Sequence, residues 1–389
     1  MKVQSGIDRI DSYTHVLKDK RIGLVTNHAG VNRNFESTID VLNSRFNLVK
    51  LFSPEHGVRG NLQAGIHVED YVDERTKLPA ISLYGKNREF NEEMVGDIDV
   101  IAVDLIDIGS RFWTFIYTMA FAMQACKKYG KTCVVVDRPN PLNANDVEGN
   151  ILNPDFASFV GLYPIAIRHG LTFGELAKLF NTEYGIGCDL VVLEMSGYRR
   201  DMFFEETGLP WVLPSPNIPT VETSFTYAAN VHFEGTNVSE GRGTNKPFTY
   251  IGAPWINGDK LADHMNALKL PGIHFRSHYF SPVFVTGEEM FARSKYRDQL
   301  CSGVEVHVVD KKTIKPVISG ISLLYAIRDM HKEFEFSPPY PGSTVPAIDR
   351  LTGDSYIREG KYDLKQLQEL FDKESAEFAK TKAKYHIYE

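Results

Sequence analysis

The chain has 389 residues, more than the roughly 100–200 of a typical single domain, which predicts two domains. Its 43% hydrophobic and 12% aromatic residues are typical of a folded globular protein. The net charge of −7 argues against nucleic-acid binding, which concentrates Lys and Arg on one face. Apolar stretches such as Met119–Met123 are far shorter than the ~20 residues that cross a bilayer, so we expect no membrane span.

The N-terminal part alternates short β-branched runs with helical stretches. The runs predict four buried parallel strands, at Ile22–Thr26, Leu48–Ser53, Val100–Asp104 and Thr132–Asp137. Helices fit between them at Glu36–Leu42 and Phe112–Tyr129. This alternation implies right-handed crossovers and an α/β fold with a Rossmann-like, doubly wound, mainly parallel sheet.

The middle of the chain continues this pattern and then changes. Leu171–Phe180 is predicted to be a helix, with Thr172 as N-cap and Glu175 completing a capping box. A further strand is expected at Asp189–Glu194. The segment Leu213–Phe248 is rich in Pro, Asn, Gly, Ser and Thr and is predicted to be a functional loop, since loops this long are uncommon in compact proteins.

Beyond about Ala253 the pattern becomes α+β. It predicts three helices and three strands, at Asp259–Leu268, Gly320–Phe334 and Leu364–Lys382, and near Ile273–Phe275, Val283–Val285 and Val304–Val309. We therefore assign residues 1–250 to a Rossmann-like catalytic domain and residues 251–389 to a smaller α+β auxiliary domain.

Candidate site residues come from two parts of the sequence. In doubly wound sheets ligands bind outside the carboxyl ends of the strands. Polar or aromatic residues follow each of the four predicted strands, namely Asn27; Glu55, His56 and Arg59; Asp104, Arg111 and Trp113; and Arg138. The second part is the glycine-punctuated segment 233–244, where backbone freedom lets side chains reach a ligand; it contributes Glu234, Asn237, Glu240 and Arg242.

Carboxylates in these positions favour glycoside hydrolysis, which uses one carboxyl group as an acid and another as a base or nucleophile. Glu55, held in a turn between Pro54 and Gly57, is the candidate general acid, and His56 lies beside it. The base or stabiliser is then Asp104, Glu234 or Glu240.

Each of these residues also has a structural interpretation. Glu55 and His56 fit a solvated turn, and Glu234 and Glu240 fit a solvated loop. Asp104 is equally consistent with a structural ion pair to the nearby Arg111. Trp113 fits two roles equally well: a flat face against which a sugar ring packs, or a core aromatic residue at the start of its helix.

Other chemistries lack their motifs. The sequence has no phosphate-binding Gly-Lys-Ser/Thr loop, no GxGxxG fingerprint after the first strand, no His-Glu-x-x-His and no Gly-x-Ser-x-Gly. Its four cysteines are not in CxxC spacing. We therefore expect no metal and no cofactor.

Six motifs follow one another along the chain: Gly23–Asn27, Ser53–Gly57, Asp107–Arg111, Asp137–Pro141, Ser215–Pro219 and Glu234–Asn237. Their order and spacing resemble the exo-β-N-acetylmuramidase family of the YbbC/NamZ type, formerly a domain of unknown function. The likeness runs from Gly6 to Gly353. It implies a Rossmann-like domain, an auxiliary domain and a cleft between them. It also implies release of non-reducing-end N-acetylmuramic acid from peptidoglycan fragments in cell-wall turnover and recycling.

A muramyl saccharide carries a lactyl carboxylate, which needs a cation, and Arg59, Arg111, Arg138 and Arg242 are the candidates. The alternative function is a non-catalytic cell-wall sugar-binding protein that uses the same cleft. Retaining, inverting and substrate-assisted mechanisms all remain open. Because family members are often exported, we expect a periplasmic or extracellular location if an export signal precedes these residues, and a cytoplasmic one otherwise.

Overall fold

The computed structural model describes residues 2–54, 57–60, 70–83, 88–284, 294–339 and 342–389. The strands in chain order are β1 (Arg21–Thr26), β2 (Asn47–Ser53), β3 (Tyr71–Val72), β4 (Pro79–Ser82), β5 (Val100–Asp104), β6 (Thr132–Val136), β7 (Glu148–Ile151), β8 (Ala166–Arg168), β9 (Asp189–Leu193), β10 (Tyr250–Ala253), β11 (Ile273–Phe280) and β12 (Cys301–Val308).

The α-helices in chain order are α1 (Thr14–Leu17), α2 (Thr38–Arg45), α3 (Glu92–Val95), α4 (Phe115–Tyr129), α5 (Phe173–Thr182), α6 (Phe204–Thr207), α7 (Val221–Asn230), α8 (Gly258–Ala267), α9 (Pro316–Met330), α10 (Ala347–Thr352), α11 (Tyr356–Glu359) and α12 (Leu364–Lys382). Short 3₁₀ helices lie at Ile7–Tyr13, Pro154–Phe156, Val231–Gly235 and Ala383–Tyr385. None of the described helices is long and apolar enough to cross a membrane.

The central sheet has seven strands in the order β3-β4-β2-β1-β5-β6-β9, and only β3 runs antiparallel to its neighbour. The predicted α/β class with a mainly parallel, doubly wound sheet is confirmed. The strand order reverses between β1 and β5, where Thr26 pairs with Asp104 at the carboxyl ends. This reversal is the position at which such sheets bind ligands.

Local signals that define helix ends are present as predicted. Thr172 and Glu175 form a capping box at the start of α5, so two otherwise free backbone N–H groups are satisfied. Helix α4 ends at Gly130, whose φ of 65° lies in the left-handed region that a Cβ disfavours. It begins at Phe115, three residues after the predicted start, because Arg111 to Thr114 form a turn.

The smaller domain contains a three-stranded antiparallel sheet in the order β10-β12-β11. Two predictions for this part of the chain are wrong. The segment 213–248 is not a continuous loop, because it contains α7, which packs against α9. An added Cβ on Gly320 of α9 would lie 1.6 Å from the carbonyl oxygen of Ala229, so glycine permits this close contact. Residues 283 and 284 form no strand; the Val283 N–H donates to the Gly243 carbonyl.

The C-terminal helix returns to the Rossmann-like part of the molecule. Helix α12 packs against the β7–β8 hairpin, and the buried Lys382 donates to the carbonyl oxygens of Ala144, Asn145 and Gly170. Non-covalent contacts of α12, in addition to the covalent connection of the chain, therefore join the smaller domain to the Rossmann-like part. The domain limits at residues 250 and 251 stay a prediction.

Candidate active site

Asp104 ends β5 at the strand reversal and is fully buried. Arg138, just after β6, donates Nε to Oδ1 at 2.5 Å and Nη2 to Oδ2 at 2.7 Å. The Thr38 hydroxyl at the start of α2 donates to the same carboxylate. The buried Asp104 side chain is therefore satisfied by a two-pronged guanidinium bond and a hydroxyl donor, as expected for a buried carboxylate.

The partner of Asp104 is Arg138 and not Arg111, so the ion pair suggested by sequence proximity is wrong. Arg111 is fully buried and donates to four backbone carbonyl oxygens, those of Asn150, Ile165, Leu351 and Thr352. Burial lowers the pKa of its guanidinium to about 10. This position favours a structural role for Arg111 over the substrate-binding role predicted from the sequence.

A second charged cluster lies in the segment 233–244. Arg242 donates Nη2 to Glu234 at 2.5 Å, and its Nε lies 3.4 Å from a carboxylate oxygen of Glu240. Lys295 donates to the other Glu240 oxygen at 2.8 Å. Burial raises the pKa of Glu234, and its side chain is 12% exposed, so solvent still reaches a carboxyl group that lies in a mainly buried site. Such a carboxyl group is suited to general acid–base catalysis.

An aromatic contact joins the Rossmann-like part to this second cluster. The Trp113 ring packs edge-on against Tyr227 with centroids 6.0 Å apart, and Tyr227 packs on Phe248 at 4.7 Å. The guanidinium carbon of Arg242 lies 5.1 Å from the centre of the Phe248 ring. Trp113 is 8% exposed, and its indole N–H donates to the Ile106 carbonyl, so most of the ring serves packing.

Three other predicted residues have defined partners. Asn27 donates to the Pro214 carbonyl and accepts from the Ala29 N–H, which fixes the 213–217 segment beside the end of β1. Arg59 pairs with Asp73 and Asp40. Asn237 donates to the Glu333 carbonyl, so its amide binds the segment after α9. These contacts position loops; the predicted ligand roles stay predictions.

Glu55 and His56, the predicted acid and its neighbour, lie outside the described residues. The residues on either side of them are described. Ser53 ends β2 beside β1, and Gly57 has a φ of 76°, a left-handed conformation that favours glycine. Ser53 therefore lies at the carboxyl edge of the sheet, one strand away from the strand reversal.

The sequence did not single out a buried pair formed by Asp107 and His169. His169 Nε2 lies 3.1 Å from Asp107 Oδ2, and both side chains are essentially inaccessible to solvent. His169 Nδ1 accepts a hydrogen bond from the Leu171 N–H, whereas Nε2 and the Asp107 carboxylate oxygens form no hydrogen bond within the described residues. The strand-end rule does not point to His169, because this residue follows the β7–β8 hairpin and not a strand of the central sheet. Within the described ranges no three His, Cys, Asp or Glu side chains are grouped to hold a metal ion.

Two family models together match most of the chain. Residues 22–222 match the family described as exo-β-N-acetylmuramidase NamZ, N-terminal, and residues 225–388 match exo-β-N-acetylmuramidase NamZ, C-terminal. The chain belongs to this family. The predicted resemblance is thereby confirmed, and it covers both halves of the chain.

Similar proteins support the same assignment. A relative from Bacillus subtilis (strain 168), named peptidoglycan β-N-acetylmuramidase NamZ, is 46% identical over 394 residues, covering 100% of this chain and 92% of the relative. Two crystal structures of DUF1343 family proteins from Bacteroides fragilis NCTC 9343 are also similar. They have TM-scores of 0.88 and 0.78 at 33% and 29% identity, each covering 100% of this chain and 99% of the other.

Proposed function

We propose that this chain is an exo-acting glycoside hydrolase that releases N-acetylmuramic acid from the non-reducing end of peptidoglycan fragments. The observation that carries the proposal is the 46% identity, over the whole chain, to a peptidoglycan β-N-acetylmuramidase. Muramyl saccharides are then the substrates, and cell-wall turnover and recycling is the process.

The charged groups are consistent with carboxylate catalysis. In this proposal Glu55 protonates the leaving oxygen, and a second carboxylate stabilises the sugar cation or activates water. Among the predicted carboxylates, Asp104 is fully buried and paired with Arg138, whereas Glu234, which accepts a hydrogen bond from Arg242, has a side chain that is 12% exposed. We therefore favour Glu234 over Asp104 as the second group that contacts the substrate.

The decisive assay uses a muramyl-glucosaminyl disaccharide and, separately, a chromogenic muramic acid glycoside. Wild-type protein should release terminal muramic acid from both. Glu55→Gln should lower kcat by about 10²–10⁴-fold and leave substrate binding intact, because the amide keeps the shape but holds no transferable proton. Binding without turnover by the wild type would instead indicate the sugar-binding protein.

The same assay tests the requirement for a metal or nicotinamide cofactor. Activity should persist after exhaustive chelation and dialysis, because the sequence lacks both the residue spacing of a metal-ligand motif and the dinucleotide-binding fingerprint. Restoration of activity by an added metal ion alone would contradict this.

We further propose that the protein acts outside the cytoplasmic membrane, where intact peptidoglycan is found. Fractionation of source cells, followed by detection of the chain in each fraction, tests this location.

A further inference from the structure

A polar groove of about 970 Å³ lies on the flank of the Rossmann-like domain. At one end it is lined by His28 and Arg59, which follow the carboxyl ends of β1 and β2. It extends along α2 as far as Arg45, the last residue of that helix. Eight residues of helix span about 12 Å, so the groove is elongated and starts at the ligand-binding edge of the sheet.

Phe35 lines this groove, and both its exposure and its backbone conformation are unusual. Its side chain is 67% exposed, and its backbone has a φ of 63°, in the left-handed region that bulky residues rarely adopt. Exposed phenylalanine in a strained conformation is unfavourable on both counts. Strain of this kind persists only when the surrounding structure imposes it, and it concentrates at ligand clamps and active sites.

The loop around Phe35 supplies that constraint. The Asn32 side-chain oxygen accepts from the N–H groups of Asn34 and Glu36, and its amide donates to the Glu36 carboxylate at 2.6 Å. The Phe35 N–H donates to the Asn32 carbonyl. The aromatic ring is therefore presented on a preformed turn, so little conformational entropy is lost when a ligand binds.

The groove lining has the chemistry of a saccharide site. Neutral amide and hydroxyl side chains line it, including Gln4, Asn32, Asn34, Ser37, Asn43 and Thr76. Three of its arginines are already ion-paired, Arg45 with Asp11, Arg59 with Asp73 and Arg75 with Asp40. Arg33 also lines the groove, together with Asp8, Glu36 and Asp40, so the lining carries charges of both signs. Neutral hydrogen-bonding groups among balanced charges suit hydroxyl and acetamido groups better than an acidic peptide, and the Phe35 ring offers an apolar face to a sugar ring.

We propose that this groove binds the sugar units on the reducing side of the scissile bond, with Phe35 as the ring against which one sugar packs. This inference rests on the proposed function, because it assigns a leaving-group subsite to the same enzyme. It makes Phe35 a specificity-determining residue that favours longer saccharides over a single muramic acid glycoside.

The test compares two substrates in Phe35→Ala, Phe35→Tyr and wild type. One substrate is the chromogenic muramic acid glycoside, and the other is a peptide-free tetrasaccharide with terminal muramic acid. Phe35→Ala should lower kcat/KM for the tetrasaccharide about two- to tenfold, mainly through KM, and leave the chromogenic glycoside unchanged. Phe35→Tyr should restore the wild-type ratio because the ring is kept.

Tyr279→Ala is the matched control, since Tyr279 is 59% exposed on β11 in the smaller domain, and it should change neither substrate. Equal loss on both substrates, or no loss on either, would overturn the subsite. A defect confined to peptide-bearing fragments would also overturn it and indicate a peptide site. Failure of the wild type to cleave the chromogenic glycoside would refute the proposed function itself, and the subsite with it.

Discussion

At the scale of single residues, the buried Asp104–Arg138 ion pair is the charged contact that we expect to affect the free energy of unfolding most. Its two side chains are 0% and 7% exposed. Removing one member of a buried pair leaves the other charge uncompensated, which costs about 3–5 kcal/mol. We expect Arg138→Ala to lower the free energy of unfolding by about this amount, measured by urea denaturation. Adding Asp104→Asn should recover part of the loss; an additive double variant would mean that the two groups do not interact in solution.

Arg138 is also the leading candidate for the lactyl carboxylate. It uses Nε and Nη2 on Asp104, and no described residue accepts a hydrogen bond from its Nη1. A charge-assisted bond is worth roughly 1.5–3 kcal/mol, so Arg138→Ala should reduce the preference for muramic over glucosamine glycosides about ten- to a hundredfold. The measurement is the ratio of kcat/KM values, taken below the denaturation midpoint of the variant.

Arg59, Arg111 and Arg242 are the alternatives, and each Arg→Ala variant belongs in the same comparison. If all four variants keep the wild-type ratio, recognition of the lactyl group by arginine is wrong. Backbone amides or shape must then supply the discrimination.

At the scale of secondary-structure elements, Arg59 fixes the turn after β2 to the residue after β3. Its Nε and Nη2 donate to the two oxygens of Asp73, and these bonds hold the pKa of Asp73 at about 2. A depressed folded-state pKa contributes stability that is complete above about pH 4 and is lost as the pH falls towards 2. The gap in Tm between wild type and Asp73→Asn should therefore be widest near neutral pH and close between about pH 4 and 2.

A matched control for this pH profile is Asp372→Asn, because the contacts of Asp372, an ion pair with Lys315 and a hydrogen bond from Gln368, are both exposed. Its Tm difference from the wild type should be small at every pH. A gap for Asp73→Asn that stays constant down to about pH 2 would show that the Arg59–Asp73 contact does not depend on ionised Asp73.

The end of helix α12 is fixed to the Rossmann-like domain by the buried side chain of Lys382. Lys382 gives one hydrogen bond to each of three carbonyl oxygens, at 2.6–3.1 Å. Lys382→Met should keep most of the packing but remove all three hydrogen bonds. The Ala144 and Gly170 carbonyls still accept from Arg200, whereas the Asn145 carbonyl loses its donor, so we expect the free energy of unfolding to fall by about 1–3 kcal/mol. Lys380→Met, on the exposed face of the same helix, should stay within about 0.5 kcal/mol of wild type. Equal effects of the two variants in urea denaturation would contradict this.

Periodic elements were predictable from the sequence, whereas elements defined by packing were not. Strand β5 and helix α12 have the predicted bounds, because one is a continuous apolar run and the other a long amphipathic repeat. Helix α7 was missed because its Thr and Ser residues have low helix propensity and nearly all of its residues are buried, so no polar face marks the period.

The site was predictable to the same extent. The strand-end rule singled out Asp104 and Arg138 because Asp104 is the last residue of β5 and Arg138 lies two residues after the end of β6. Their pairing depends on β5 and β6 being neighbours, which sequence distance does not reveal, and Arg111 looked the better partner for that reason. The contact between Asp107 and His169 joins residues 62 positions apart. Such contacts are fixed by tertiary structure alone.

At the scale of the whole molecule, the two parts of the chain share buried polar groups. Arg111 donates to Asn150 and Ile165 in the Rossmann-like part and to Leu351 and Thr352 near α10. Tyr388, the penultimate residue, donates at 2.5 Å to Asp137, which follows β6. The smaller domain therefore completes hydrogen bonds inside the larger one, beside the proposed site. Separating them would remove two of the four carbonyl acceptors of Arg111 and one of the donors to Asp137, which also accepts from Thr172 and Gly174.

This sharing predicts that the protein unfolds as one cooperative unit despite its two-part family description. If one domain unfolds, Arg111 loses carbonyl acceptors and Asp137 loses a hydrogen-bond donor from that domain. Each buried polar group left unsatisfied costs about 1–3 kcal/mol, and a charged group costs more. Calorimetry should therefore show one transition whose calorimetric and van't Hoff enthalpies agree. Residues 1–222 expressed alone should be unfolded or aggregated. Two resolved transitions, or a cooperatively folded 1–222 fragment, would show that the domains are independent and that the shared contacts add little to stability.

Arg111→Met is the informative variant, because it removes all four carbonyl contacts at once. It should lower the Tm without splitting the transition, provided that the other cross-domain contacts persist.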